Sequence, residues 1–305
     1  MSGRVLVIAH SHKSQAGDLA DFAAREFTGH GWEAVHEEQD DGGPFDLAIV
    51  LGGDGTLLRA AEAVRGRAIA LLGVNVGRMG FFSVAEPEDL RRAVGRIVAG
   101  DYRVESRATV VANVTGPDGV SAQDWALNEV TVEKALPRHM LEVMVLVDGR
   151  PMSTFGCDGV VLATPTGSTG HAFSAGGPVV WPEVEAMLVV PVAAHALFAR
   201  PLVVSSTTAV TIAVQAESRT PGVVSFDSRR GMALEAGGRL EVRNSAEPVR
   251  LVRFGDAPFV DRLVHKFSLP VTGWRSGAGE AAADEGAAGD GDAAEVDKGA
   301  AGNAQ

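Results

Sequence analysis

Asp46-Leu-Ala-Ile-Val-Leu51-Gly-Gly-Asp-Gly-Thr56-Leu-Leu-Arg59 decides the reading of the fold. Its apolar run has no polar alternation, the pattern of a strand buried on both faces of a parallel sheet. The run ends on two glycines, and after Asp54-Gly55 a helix follows at once, predicted from Thr56 to Val64. The glycines permit unusual backbone angles and close approach of a ligand, and a helix N-terminus offers free N–H groups to an anion.

The segments on either side repeat this grammar. Arg4–Ala9 is an apolar strand, followed by an amphipathic helix from about Gly17 to Thr28 and a short strand at Trp32–Val35. Ala68–Val74 is the next strand, and Pro87 opens a helix with Glu88 and Asp89 in its first turn, where the macrodipole favours acids. Alternating β and α with apolar strands predicts a parallel sheet covered on both faces. After Tyr102 the pattern changes to short, β-branched segments: Thr109–Val114, Leu141–Val147, Val160–Ala163, Val203–Val214, Val223–Phe226, Leu240–Val242 and Val249–Phe254. Turn residues such as Asp148-Gly149 and Gly237-Gly238 punctuate them, which predicts an all-β sandwich or similar layered sheet. One helical patch is read from about Pro182 to Leu188. The expected domains are therefore 1–102, α/β, and 103–254, β-rich, with the site in the crevice between them.

Composition narrows the class. The 305 residues carry a net charge of −12, which argues against a nucleic-acid partner bound through a basic face. Half of that charge sits in 276–305, an Ala/Gly/acid-rich tail with seven acids and one Lys, too poor in apolar side chains to offset its ordering entropy. It is expected to be disordered. The one cysteine, Cys157, forms no internal disulfide, consistent with a reducing, cytoplasmic setting. The apolar stretch around Met187–Phe198 is interrupted by Pro191 and His195 and is shorter than the roughly 20 residues of a membrane span.

A carboxylate at a phosphate-cradling turn repels phosphate, so Asp54 needs a purpose: accepting a proton from an attacking hydroxyl, or helping to organise Mg²⁺. A plain Gly-Asp-Gly helix cap is the competing reading. Neither a G-x-x-x-x-G-K-[ST] P-loop nor a G-x-G-x-x-G after a strand occurs. Gly73-Val-Asn-Val-Gly77-Arg-Met-Gly80-Phe81 places a second glycine-bearing strand end where it would widen the same crevice. Asn128-Glu129 pairs an amide with a carboxylate, a set that binds a ribose diol or an adenine edge. In Cys157-Asp-Gly-Val-Val-Leu-Ala-Thr-Pro-Thr-Gly-Ser-Thr-Gly-His171-Ala-Phe-Ser-Ala-Gly-Gly-Pro178 a strand enters a loop of hydroxyls and glycines suited to a nucleotide's sugar and phosphates. His171 is either a ligand-facing group or a histidine satisfied inside the fold. The other histidines have no zinc-ligand spacing, and His195 and Arg200 read as structural.

Taken in order, G-G-D-G-T, G-x-N-x-G-x-x-G-F, Asn-Glu, D-G…T-P-T-G-S-T…S-A-G-G-P, H-x-L-x-x-R-P and S-F-D closely resemble the NAD kinase family, over about residues 4–275. The resemblance implies an N-terminal Rossmann-like α/β domain, a C-terminal β-rich domain, and a segment near 255–275 packing back onto the first. It implies transfer of a phosphoryl group from ATP or polyphosphate, with Mg²⁺ or another divalent cation, to the 2′-hydroxyl of the adenosine ribose of NAD. By the same resemblance Asp54 is the base, and Gly55 and Arg59 line the phosphates. Asn128 and Glu129 hold ribose or adenine, while Asp158 and the run Thr169, Gly170, His171, Ala172, Phe173 and Ser174 close over NAD. His139, Thr166 and Arg229 join the nucleotide site, and a homodimer or homotetramer is expected.

Three departures stand out. Gly170-His171 replaces the family's usual Ala-Tyr, Ser228-Arg229 replaces Gly-Gln after S-F-D and adds a cation near the phosphates, and Gly156 stands where NAD-strict members often have Arg. Lipid kinases and some phosphofructokinases share a similar G-G-D-G turn, and a non-catalytic NAD-binding sensor is the reading from another class. The Asn-Glu pair and the Thr-Pro-Thr-Gly-Ser-Thr block count against the first, and intact Asp54 against the second. Ending the chain at Arg275 is expected to leave activity and thermal stability nearly unchanged, because the tail should bury nothing. A melting temperature lowered by several degrees would show that it docks.

Overall fold

The computed structural model describes residues 2–11, 13–77, 80–255 and 258–271, so the expectation for 276–305 lies outside the described residues. In chain order β1 (Arg4–Ala9), α1 (Ser14–Gly29), β2 (Glu33–His36), β3 (Leu47–Gly52), α2 (Asp54–Ala63), β4 (Ala70–Asn75) and α3 (Leu90–Val98) come first. The strands pair in parallel in the order β2-β1-β3-β4. Successive side chains of a strand point to opposite faces. Val5 and Val7 pack with Phe27 of α1 and Leu90 and Ile97 of α3, whereas Leu6 and Ile8 pack with Leu57, Ala60 and Ala61 of α2. Helices on both faces account for the unbroken apolar runs.

The next strands are β5 (Arg103–Arg107), β6 (Val110–Thr115), β7 (Ser121–Ala126), β8 (Glu129–Lys134), β9 (Leu141–Val147), β10 (Arg150–Cys157) and β11 (Gly159–Ala163). After a short helix α4 (His171–Ser174) come β12 (Ala186–Val192), β13 (Leu202–Ser205), β14 (Val210–Val214) and β15 (Gly222–Phe226). The chain continues through β16 (Arg230–Leu234), β17 (Arg239–Asn244) and β18 (Val249–Arg253) to α5 (Phe259–Phe267). Two six-stranded antiparallel sheets, β10-β9-β14-β17-β6-β7 and β13-β12-β11-β8-β15-β16, enclose one core. Val143, Val145, Ile212 and Leu240 from one sheet meet Val130, Val160, Leu162 and Phe226 from the other. The β-rich part is thus a sandwich of the expected layered kind. Cys157 closes β10 deep in this core, its Sγ 3.6 Å from the carbonyl of Leu141, and burial pushes its thiol up to about 12.

Three expectations are corrected. β5 and β18 belong to the first sheet, not the sandwich: β18 runs parallel to β4 and antiparallel to β5. Leu251 and Val252 fill opposite faces of that sheet, as a strand flanked on both sides requires. The predicted helix at 182–188 is absent. Val184 N–H closes a turn on the carbonyl of Trp181, and Ala186–Val192 is a strand held between β11 and β13. Pairing with two neighbouring strands outweighs weak local helix preference. Val203–Val214 is two strands in different sheets, separated by a turn at Ser205–Thr208.

The large body ends at Phe259, and a second unit begins at Val260. α5 carries Asp261 in its first turn and His265 and Lys266 in its last, each sign matching the helix dipole. No helix among the described residues is long and apolar enough to cross a membrane.

Candidate active site

β3 delivers the chain to Gly52 and α2 starts two residues later, so the amide end of α2 opens at the carboxyl edge of a parallel sheet. Sites on such sheets form at this edge. Here a cleft of about 380 Å³ is lined by His10, Ser11, Lys13, Gly53, Gly55, Thr56, Arg59 and Arg229. The expected phosphate-side residues Gly55, Arg59 and Arg229 therefore meet. Lys13 Nζ donates to the carbonyl of Val76 at 2.9 Å. Arg59 Nη1 pairs with Glu37 at 2.5 Å and its Nη2 donates to the Ala9 carbonyl at 2.8 Å. Arg229 Nε donates to Glu62 Oε2 at 3.2 Å. Three cations around a helix N-terminus make a receptor for a polyanion. Gly53 and Thr56 lie in the glycine turn already read as the approach for phosphates, whereas His10, Ser11 and Lys13 were not among the expected site residues; the position of His10-Ser-His-Lys13 just past the first strand was the available signal.

Asp54 sits at the start of α2 and turns its carboxylate toward the 80–82 segment. Oδ2 accepts the Phe81 N–H at 3.1 Å and Oδ1 the Phe82 N–H at 3.2 Å. A Cβ on Gly80 would stand 2.0 Å from Oδ1, so only glycine lets this backbone close over the acid. The carboxylate is fixed in place, and each oxygen keeps a further lone pair for a hydroxyl or a cation. Among the described residues no group of three or more His, Cys, Asp or Glu side chains can hold a metal ion. A divalent ion carried in by phosphates would find in Asp54 an oxygen ligand of the right hardness.

The second half of the site is a shelf at the start of β8. Asp227 lies in the turn between β15 and β16, where Asp227 and Ser228 have φ of +51° and +54°, a left-handed pair that Asp tolerates better than most residues. Its Oδ2 accepts the N–H of Leu127 at 2.8 Å, and Oδ1 accepts those of Asn128 and Glu129 at 2.7 and 3.3 Å. Burial raises the Asp227 carboxyl above its ordinary value, and these three N–H groups oppose the rise. Burial, then the charge of Asp227, pushes Glu129 up to about 7 against the pull of the His171 N–H. Asn128 Oδ1, Glu129 Oε2 and Thr131 Oγ1 are buried with no hydrogen-bond partner among the described residues. Unmet acceptors on buried groups are costly and mark where a donor is wanted.

The Thr164–Ser174 loop closes on this shelf. Thr164 Oγ1 donates to the Leu127 carbonyl at 2.6 Å, and a Cβ on Gly167 would stand 2.1 Å from the carbonyl oxygen of Asn128. Gly170 lies against Glu129, and His171 Nδ1 is 3.9 Å from Glu133. Asp158, the one-residue link between β10 and β11, is paired with Lys134 of β8 at 2.5 Å. Thr166 is buried 3.5 Å from an Arg107 nitrogen, and Thr169 Oγ1 donates to the Thr166 carbonyl. Ala172 packs under the loop in a small apolar cluster with Val161 and Val190, while Phe173 and Ser174 face outward. His139 stands apart, in an exposed turn closed by its own N–H on the Leu136 carbonyl. Asp227 was legible only as the end of S-F-D; its hold on the shelf is a finding of the structure.

Cleft and shelf meet on one turn. Asp227 grips the shelf, and Arg229, two residues on, lines the cleft, a backbone separation of at most about 7 Å. A polyanion cleft beside a buried hydrogen-bonding shelf, with a fixed carboxylate at the cleft's turn, defines a phosphoryl-transfer class of site. Residues 6–102 match the ATP-NAD kinase N-terminal domain, and 127–254 match the ATP-NAD kinase C-terminal domain. The NAD kinase of Nocardia farcinica is 54% identical over 75% of this chain and 71% of its own length. That of Leifsonia xyli is 56% identical over 76% of each. Among solved structures, yeast NADH kinase complexed with NADH superposes with a TM-score of 0.79 at 20% identity over 89% of each chain. An Archaeoglobus fulgidus NAD kinase in complex with ATP gives 0.70 at 27% identity, over 88% of this chain and all of the other. The chain belongs to the NAD kinase family.

The raised Glu129 carboxyl ties stability to pH. Its folded value lies above its ordinary 4.5, so its contribution is fully present below 4.5 and is lost as pH climbs to about 7. Urea unfolding between those limits is expected to show the parent losing stability with pH more steeply than Glu129→Gln. Equal slopes would mean that Glu129 ionises as freely folded as unfolded.

Proposed function

We propose that this protein phosphorylates NAD at the 2′-hydroxyl of its adenosine ribose, and that the donor's phosphates occupy the cleft while NAD lies on the shelf. The observation that supports this reading is the shared turn at 227–229, which sets a cation-lined cleft and a ledge of unmet buried polar groups side by side. Support for the donor comes from the Archaeoglobus relative's ATP complex. Asn128, Glu129 and Thr131 offer the unmet buried groups to the NAD side. Asp54, held by two backbone N–H groups, takes the proton of the ribose hydroxyl. The hydroxyl oxygen forms its bond to the terminal phosphorus as the bond from that phosphorus to the donor's bridging oxygen breaks. NADP and ADP leave, or a chain shortened by one phosphate when polyphosphate is the donor. Catalysis of this kind is mostly positioning and charge balance. If Mg²⁺ accompanies the donor, it would supply positive charge against the phosphates, and Asp54 is the carboxylate at this turn that could help hold it. Incubating the protein with Mg²⁺, a donor and either NAD, diacylglycerol or a sugar phosphate tests the class: only NAD should be phosphorylated.

Asp54→Asn keeps one acceptor for Phe81 or Phe82 and removes the basic oxygen. It is expected to lower kcat by about 10²–10⁴-fold with NAD affinity changed less than about tenfold. Retention of more than about a tenth of the parent kcat, or rescue by high Mg²⁺, would assign Asp54 to a role other than base.

Gly156 lies on β10 beside His195, whose N–H it accepts at 2.8 Å, and a Cβ there would touch the flexible end of Met140 at 3.2 Å. With no cation at this position the protein is expected to use both NAD and NADH. Gly156→Arg should depress NADH use more than NAD use in parallel kinetic assays; equal losses would detach this position from acceptor choice.

A further inference from the structure

The two arginines of the cleft are held differently. Arg59 has both Nη atoms occupied, by Glu37 and by the Ala9 carbonyl. Arg229 is held through Nε alone, by Glu62 Oε2 at 3.2 Å, and its two Nη groups have no partner among the described residues. The turn beneath it is rigidly specified: Arg229 N–H closes on the Phe226 carbonyl at 3.0 Å behind two left-handed residues. Glu62 is itself fixed from α2, and its Oε1 lies 3.5 Å from Nε of Arg230. Arg230 in turn pairs with Asp124 and donates to the Trp125 carbonyl at 2.7 Å.

We infer that Arg229 binds the donor's phosphates through its free Nη pair and that Glu62 is the positioning residue that aims it, an inference that rests on the cleft being the donor site. A guanidinium engaged at Nε still presents its two terminal N–H groups as a planar fork, the geometry that bonds phosphate bidentately. Without Glu62 the side chain would have to give up its rotamer freedom at the moment of binding. The pair is about one-third exposed on each side, 33% and 33%, so it adds little to fold stability and its effect should fall on the donor step. Arg59, with each Nη already engaged, lines the cleft without an equally free fork to offer.

Steady-state kinetics with ATP·Mg²⁺ and NAD test this. Losing a charge-assisted bond to phosphate, Arg229→Gln should lower kcat/KM for ATP by about 10- to 100-fold while the KM for NAD stays within about twofold. Glu62→Ala should lower kcat/KM for ATP by about three- to tenfold, and Glu62→Gln, which keeps an acceptor for Nε, by less. In the Arg229→Gln background Glu62→Ala should change nothing further, because a residue acting only through Arg229 has nothing left to aim. Equal effects of Glu62→Ala in both backgrounds would overturn the inference. So would a gain in kcat/KM for ATP, the sign of an acid that competes with phosphate. Should melting temperatures show that the Ala variant unfolds through Arg230, Glu62→Met, similar in length but without an acceptor for Nε, carries the same comparison in both backgrounds. If Arg229→Gln forms NADP with an unchanged kcat/KM for ATP, the assignment of the cleft's Arg229 wall to the donor fails with it.

Discussion

One carboxylate bonded to three successive backbone N–H groups organises this site. Asp227 reaches from the β15–β16 turn to the amides of Leu127, Asn128 and Glu129, about 100 residues earlier in the chain. A buried acid is costly unless its lone pairs are met, and here the backbone meets them. The same three bonds fix the start of β8, so the side chains of Asn128 and Glu129 leave a ledge whose direction is set by main chain, not by side-chain packing. Left-handed backbone at non-glycine residues costs of order 1–3 kcal/mol each, and Asp227 and Ser228 both sit there. Such strain persists where the surroundings over-determine it, as the sandwich does on one side and α2, through Glu62, on the other.

The two layers of architecture cannot drift far from one another, because the chain crosses between them at adjacent strands. β5 leaves the first sheet for the sandwich, and β18 returns to pair beside it. Arg253, buried in that sheet, bonds Glu105 at 2.6 Å and donates to the Phe82 carbonyl at 2.9 Å, next to the segment that closes over Asp54. The returning strand thus braces the backbone that holds the acid. Trp125 is flanked by Arg65 of the stretch after α2 and by Arg230 of the sandwich, at 4.1 and 5.2 Å to its ring centroid, adding a polar seam between the halves.

Local pattern made the α/β half legible. The apolar strands, the glycine turn at 52–55 and the acid-rich start after Pro87 are properties of contiguous residues, and each produced its element within a few positions. The same holds for Asn128-Glu129 and the Thr164–Ser174 loop, which the fold brings together against Gly167 and Gly170. What escaped the sequence depends on partners distant along the chain. Ala186–Val192 is an apolar run whose periodicity does not separate buried strand from buried helix until β11 and β13 flank it, and β18 looks like any sandwich strand until β4 receives it. Strands β7 and β10 are polar on much of their length because they lie at sheet edges, so no apolar alternation announced them. Lys13 enters the cleft through a side chain bonded to Val76, a contact spanning 63 residues. Asp227 carried a motif but no role, since three N–H groups on another strand are invisible in its neighbours.

Cys157 adds a practical corollary. It is the only thiol in the chain, sealed between two sheets with its sulfur against the Leu141 carbonyl and protonated far above neutral pH. Thiolates, not thiols, are the nucleophiles that maleimides and iodoacetamides trap. The folded surface is therefore blank to sulfur-directed labels. A fluorophore or spin label attached through an engineered cysteine would report from that single chosen place, with no background from the native chain.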